Sequence, residues 1–256
     1  MIISRVALLT IMVFTATAAE ARVFDFSKQT FSTYLRASGG PTTLQRGAYS
    51  AGFPNSITFN DTNAPSTVYS AEIGLAFTNP NVYNFRLGVE GLYPYASGGS
   101  TGANGGTPEF TINSLTYAII PQANFELFLK KKPNFRFYLG AGGGYAITSF
   151  DNNITMTPQG TTTYGVSNYS ELASGTGIMG QGYLGMEFPA FDNIGFSFDV
   201  GYRYLVIPSF TASQSYTNLS GKIISQGSTI TNADGSTRSL NLSGVFGAVS
   251  FRFYFN

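Results

Sequence analysis

Five arginines and five carboxylates carry nearly all the charge inside the strand-like stretches of this chain: Arg36, Arg86, Arg136, Arg203 and Arg252 against Glu72, Glu90, Glu126, Glu187 and Asp199. Two chemistries are open to such a balanced set. The charges can pair into a fixed network, or they can line a gate or a solute path. Enzymatic acid–base work is poorly served, because the sequence has no His, the commonest general base, and no Cys to act as nucleophile or thiolate ligand. No catalytic residue, metal site or cofactor is therefore expected. Asp151 and Glu171 could hold a cation weakly, but without calcium-loop spacing. The run from Gly140 to Gly144 lacks the Lys-Ser/Thr of a nucleotide loop and reads as a strand whose bare backbone accommodates facing aromatics.

The spacing of the ten charges decides what must position them. Each sits in the polar phase of an alternating run, as Arg86 does between Phe85 and Leu87, so all ten project to one side of a sheet. Random placement would give that agreement on the order of once in a thousand. The same phase carries Ser70, Gly74, Ala76, Gly140, Gly142, Gly144 and Ala146, small residues suited to a crowded interior. The opposite phase reads Tyr69, Ile73, Leu75, Phe77 in one run and Phe196, Phe198, Val200, Tyr202, Tyr204 in another, too continuous and aromatic for a wet surface. Polar filling and an apolar coat describe a barrel in lipid.

Composition agrees. The chain has 256 residues and 11% charged residues, against about 25% in soluble proteins. Its net charge of +1 gives no reason to expect a nucleic-acid partner. At the N-terminus, Arg5, the apolar stretch 6–14 and the small residues before Arg22 read as a secretory signal over residues 1–21, leaving 22–256 as one barrel domain.

Eight strand-like runs follow, at 31–38, 67–78, 82–95, 111–129, 135–150, 177–188, 194–206 and 240–255. Short links at 79–81, 130–134 and 189–193 alternate with long polar ones at 39–66, 96–110, 151–176 and 207–239. That alternation fits short periplasmic turns on one rim and long extracellular loops on the other, with both mature termini periplasmic. In the last loop, Asp234-Gly235 suggests a hairpin rising above the membrane. Aromatics gather near both rims, as girdles would require. The expected fold is all-β, an eight-stranded antiparallel up-and-down transmembrane β-barrel.

Over nearly all of the mature length the chain resembles the small eight-stranded outer-membrane proteins of the OmpA transmembrane-domain, OmpX and OmpW type. Its alternating ending, Phe251, Phe253 and Phe255, is similar to the family's C-terminal assembly signal, except that Asn256 follows the last Phe. The resemblance implies the outer membrane of a Gram-negative bacterium, contact with its lipid, docking on the barrel-assembly machinery through the last strand, and a monomer. An interior only wide enough for side chains, filled by the ten charges with Tyr34, Phe128, Tyr138 and Tyr183, suits a structural or surface-interaction protein working through its loops. Glu72 is expected to approach Arg86, and Glu126 to approach Arg136. A narrow channel or transporter for small, even apolar, solutes and a soluble exported ligand-binding barrel are the alternatives.

Overall fold

The computed structural model describes residues 26–45, 47–59, 65–95, 100–132 and 134–255. The expected signal at 1–21 and the terminal Asn256 lie outside them. Eight long strands make the wall: β1 (Phe31–Gln45), β2 (Pro65–Asn79), β3 (Tyr83–Tyr95), β4 (Thr107–Lys132), β5 (Phe135–Met156), β6 (Tyr169–Phe191), β7 (Ile194–Ile207) and β8 (Gly244–Tyr254). Each pairs antiparallel with its neighbours in sequence, and β1 pairs with β8 from Ser32↔Tyr254 to Thr42↔Gly244. The ring is closed, so the eight-stranded up-and-down barrel stands without a free sheet edge.

The alternation read from the sequence is realised in the wall. Along β3 and β8, apolar side chains point out and the charged residues are buried. Ile73 is 65% exposed and Ile178 75%, whereas Arg86, Arg136 and Arg252 are fully buried. The short turns carry the expected chemistry. Asn79 closes one of them by accepting from the Asn81 and Val82 amides at 3.1 Å each, and Lys131 of the neighbouring rim binds Asn81 through its backbone oxygen at 2.8 Å.

The long-loop end differs from expectation. Residues 107–110, 151–156 and 169–176 are strand, not loop, so β4, β5 and β6 rise above the other five as a tall wall. Ser, Thr, Gly and Asn disguise these extensions as loop, yet they satisfy their backbone groups by pairing with one another. The connection left between β5 and β6 is a seven-residue helix, Pro158–Tyr164. Thr157 caps it by accepting from the Gly160 amide at 3.1 Å, and Gly165, at φ 66°, ends it. Short strands Ile57–Phe59 and Ser100–Asn104 pair beside the wall.

The 231–237 turn exists, with the Asn232 amide donating to Ser236 at 2.8 Å, but it does not rise freely. The Ala233 amide donates to the Ala51 carbonyl at 2.8 Å, which folds the last loop over the barrel mouth. Ile230, Leu240 and Leu242 thereby join Phe150, Leu205, Ile207 and Phe210 in a buried apolar layer inside the upper barrel. Burial of this apolar surface is what holds the loop down.

Candidate functional site

All ten expected charges lie inside the barrel, in three storeys. Nearest the short turns, Glu126 receives Arg86 at 3.1 Å and Arg252 at 2.9 Å, while Glu187 receives Arg252 at 3.3 Å and Arg136 at 3.8 Å. Above them Arg36 joins Glu72 at 3.2 Å and Asp199 at 3.1 Å. The third storey is the Arg203–Glu90 pair. Three guanidiniums against two carboxylates leave one positive charge below, one guanidinium against two carboxylates leaves one negative charge in the middle, and the top pair is neutral. The set cancels.

The partners correct the expected pairing. Glu72 binds Arg36, directly opposite it on β1, and Arg136 binds Glu187, directly opposite it on β6. Arg86 faces Ala76 and Asn124 across the ladder, so its charge is met by Glu126. Side-chain parity fixes the face of a strand residue but not the stagger between strands, and stagger chooses partners.

Rings complete the network. Arg136 lies over Phe26 at 4.3 Å and Phe128 at 4.8 Å, Arg86 over Tyr34 at 5.1 Å and Tyr183 at 5.4 Å, and Arg36 over Phe246 at 5.1 Å. A planar guanidinium can stack in this way while pairing at its edge, which explains arginine at every cationic position of the lumen. N–H groups of Arg86 meet no hydrogen-bond acceptor, and its charge is met by Glu126 and the two rings. Tyr138 donates to Asp199 at 2.6 Å, Tyr183 to Glu126 at 3.2 Å, and Tyr34 to Glu72. Glycine makes the room: a Cβ on Gly140 would meet the Tyr183 ring at 2.2 Å, and one on Gly185 the Tyr138 ring at 2.4 Å.

The polar filling includes residues not singled out from sequence. Asn84 donates to Glu126 at 2.6 Å, and Gln122, Asn124 and Gln181 form a cluster beneath Glu90 and Arg203, with Gln181 donating to Asn124 at 2.7 Å. Their parity matches that of the charges, so the same rule would have found them. Phe26, which packs edge-on against Tyr254 at 6.1 Å and accepts from Arg136 through its carbonyl, belongs to a short turn before β1 and carries no strand signal. Phe251, Phe253 and Phe255 all face outward.

A buried charged interior within a continuous apolar exterior inverts the arrangement of a water-soluble protein. The chain is an eight-stranded barrel of the outer-membrane type. No family model and no curated protein matches it. Among solved structures the barrel is similar to Neisserial surface protein A (NspA), 14% identical over 88% of this chain and 97% of that one, with a TM-score of 0.43. It is also similar to a major outer membrane protein from Thermus thermophilus, 14% identical over 87% and 99%, TM-score 0.47. OprG from Pseudomonas aeruginosa is 12% identical over 91% and 99%, TM-score 0.41. The assignment of the barrel rests on its own strand ring and its inverted polarity.

A second charged site crowns the barrel. Glu171 at the top of β6 meets Arg238 of the last loop at 3.5 Å and accepts from Asn152 at 3.0 Å and from the Tyr216 hydroxyl at 3.0 Å. Arg238 also donates to Asn232 at 2.6 Å and lies over Phe150 at 5.8 Å. Asp151 does not share this site. It stands opposite Leu172, whereas Glu171 stands opposite Asn152, so the two acids project from opposite faces of the wall and form no cation site. Nothing local to Arg238 in the sequence marks its role.

Proposed function

We propose that the barrel sits in the outer membrane of a Gram-negative bacterium and acts as a structural or surface-interaction protein through the crown formed by its long loops. Its lumen serves as a neutral, side-chain-filled plug. The observation that carries this reading is the interior itself: charges that a conduit would present to passing solute are instead paired with one another, stacked on rings and covered by the apolar layer around Phe150 and Leu205. Both mature termini then lie in the periplasm, and the outward Phe251, Phe253 and Phe255 serve the barrel-assembly machinery. The protein works as a monomer in outer-membrane lipid. An exposed apolar coat that includes Ile73, Tyr204 and Ile178 disfavours a soluble exported carrier.

The orientation is tested by epitope tags in otherwise full-length protein. A tag between Asp234 and Gly235 is expected to bind antibody on intact cells, and a tag after Asn256 only on permeabilised ones. The reverse pattern would overturn the topology.

One observation favours a second reading, a narrow path for small apolar solutes. The β4–β5 ladder lapses between Ile119↔Ile147 and Gln122↔Gly144, where Pro121 has no N–H to give. A shallow groove lies on the outer wall there, bordered by Leu87, Val89, Pro121 and Gln122. Flux of a small apolar solute into liposomes carrying the protein, absent from empty ones, would favour this path.

A further inference from the structure

The strongest unexplained feature is a hollow in the crown, outside the lumen network. It encloses about 360 Å³, within the range of about 300–1,000 Å³ usual for small-ligand sites, and is bordered by Phe53, Tyr169, Glu171, Tyr216, Asn218 and Lys222 among others. Tyr169 and Tyr216 stack at 5.9 Å with ring planes 8° apart, and a second, more open hollow lies along the same pair. The two hollows therefore share an aromatic partition.

The chemistry of the walls selects a ligand class. At the floor, the carboxylate of Glu171 is already neutralised by Arg238 and by two further donors, so it does not ask for a cation. Among the described residues the lining has one cationic side chain, the exposed Lys222, which is too little for a polyanion. Asn218 spends its Oδ1 on the Ser220 and Lys222 amides at 3.1 and 3.0 Å, which reserves its NH2 for donation. Arg238, buried behind Gly52, keeps Nη2 without a hydrogen-bond partner. The Tyr216 hydroxyl proton is spent on Glu171, so toward the hollow this ring offers its face and an acceptor oxygen, and burial beside Glu171 raises both tyrosines above the ordinary phenol range. Flat rings beside amides and hydroxyls suit a molecule with one apolar face and a rim of hydroxyls. Tyr, Ser, Gly and Asn are also the residues with which adaptable recognition loops are built.

We propose that the crown hollow binds a short saccharide, packed against the Tyr169–Tyr216 partition and hydrogen-bonded by Asn218 and its neighbours. This deepens the proposed function and rests on the crown being the working surface.

The full chain, refolded in a detergent without a sugar headgroup and checked for folded gel mobility, is titrated calorimetrically. The probes are maltose, N,N′-diacetylchitobiose and sialyllactose, which separate neutral, N-acetylated and acidic sugars. Saturable binding of at least one is expected, weakened at least tenfold by Tyr216→Ala and severalfold by Asn218→Ala. Thr58→Ala, outside the hollow, is expected to leave it unchanged. Should Tyr216→Ala disturb the crown, Tyr216→Phe keeps the ring and is expected to retain binding within a few-fold. Folded protein that binds none of the probes, or binds them equally in the Tyr216→Ala and Asn218→Ala variants, overturns the inference. That failure, with the crown tag accessible on intact cells, leaves surface interaction standing with a protein partner instead. An inaccessible tag fails the proposed function whatever the titration gives.

Discussion

The lumen and the crown both contain buried arginine–carboxylate pairs, yet they are built on different scales. In the lumen, Glu126 is held by Arg86 and Arg252 from strands on separate parts of the ring, and by Asn84 and Tyr183 as well. In the crown, Glu171 has one arginine, from a loop that is itself held down by an apolar layer and a few backbone bonds. The first arrangement ties the whole ring together. The second fastens one loop to one strand, so the crown can vary or loosen while the wall stands.

Glu126→Ala is the most severe way to break that contrast. It strands Arg86 and Arg252 in a buried site, and a loss of about 3–5 kcal/mol in the stability of the whole barrel is expected. Urea titration followed by folded gel mobility checks it. A much smaller loss would mean that ring stacking, not charge pairing, carries the lumen. Arg238→Ala leaves Glu171 with only neutral donors and is expected to cost about 1–3 kcal/mol within the crown. Proteolysis between residues 208 and 243 should accelerate while the urea midpoint of the barrel stays put. Equal effects on both would show that crown and wall unfold as one unit.

Thr157→Ala removes the cap of the Pro158–Tyr164 helix, worth about 1 kcal/mol, and should speed amide exchange in that helix alone. The smallest effect expected is alkaline. Burial, helped by the bond to Glu109, pushes Tyr164 up to about 12, above its unfolded value near 10. Its contribution is therefore complete below pH 10 and fades as pH rises through about 12. Loosening confined to the 157–165 segment over that window, read by amide signals, is the expected outcome. Tyr164→Phe should abolish the pH dependence.

The face of each strand residue was legible from alternation alone, because a closed barrel in lipid gives every position a side. The ten charges and the outward Phe251, Phe253 and Phe255 follow from it. Partners were not legible: choosing Arg36 over Arg86 for Glu72 depends on stagger, which no single strand encodes. The upper reach of β6 was hidden because Ser170, Ser174 and Thr176 read as loop until β5 is there to pair with them. Arg238 and Phe26 were beyond reach for a related reason. Each acts through a fold-back whose target lies more than sixty residues away, at Glu171 and Arg136.

The central claim is that the inward charges form a closed plug and leave function to the crown. Conductance of the refolded protein in planar bilayers tests it most directly. The native chain is expected to give no stable steps of large amplitude. Stable large steps from the native protein would contradict it.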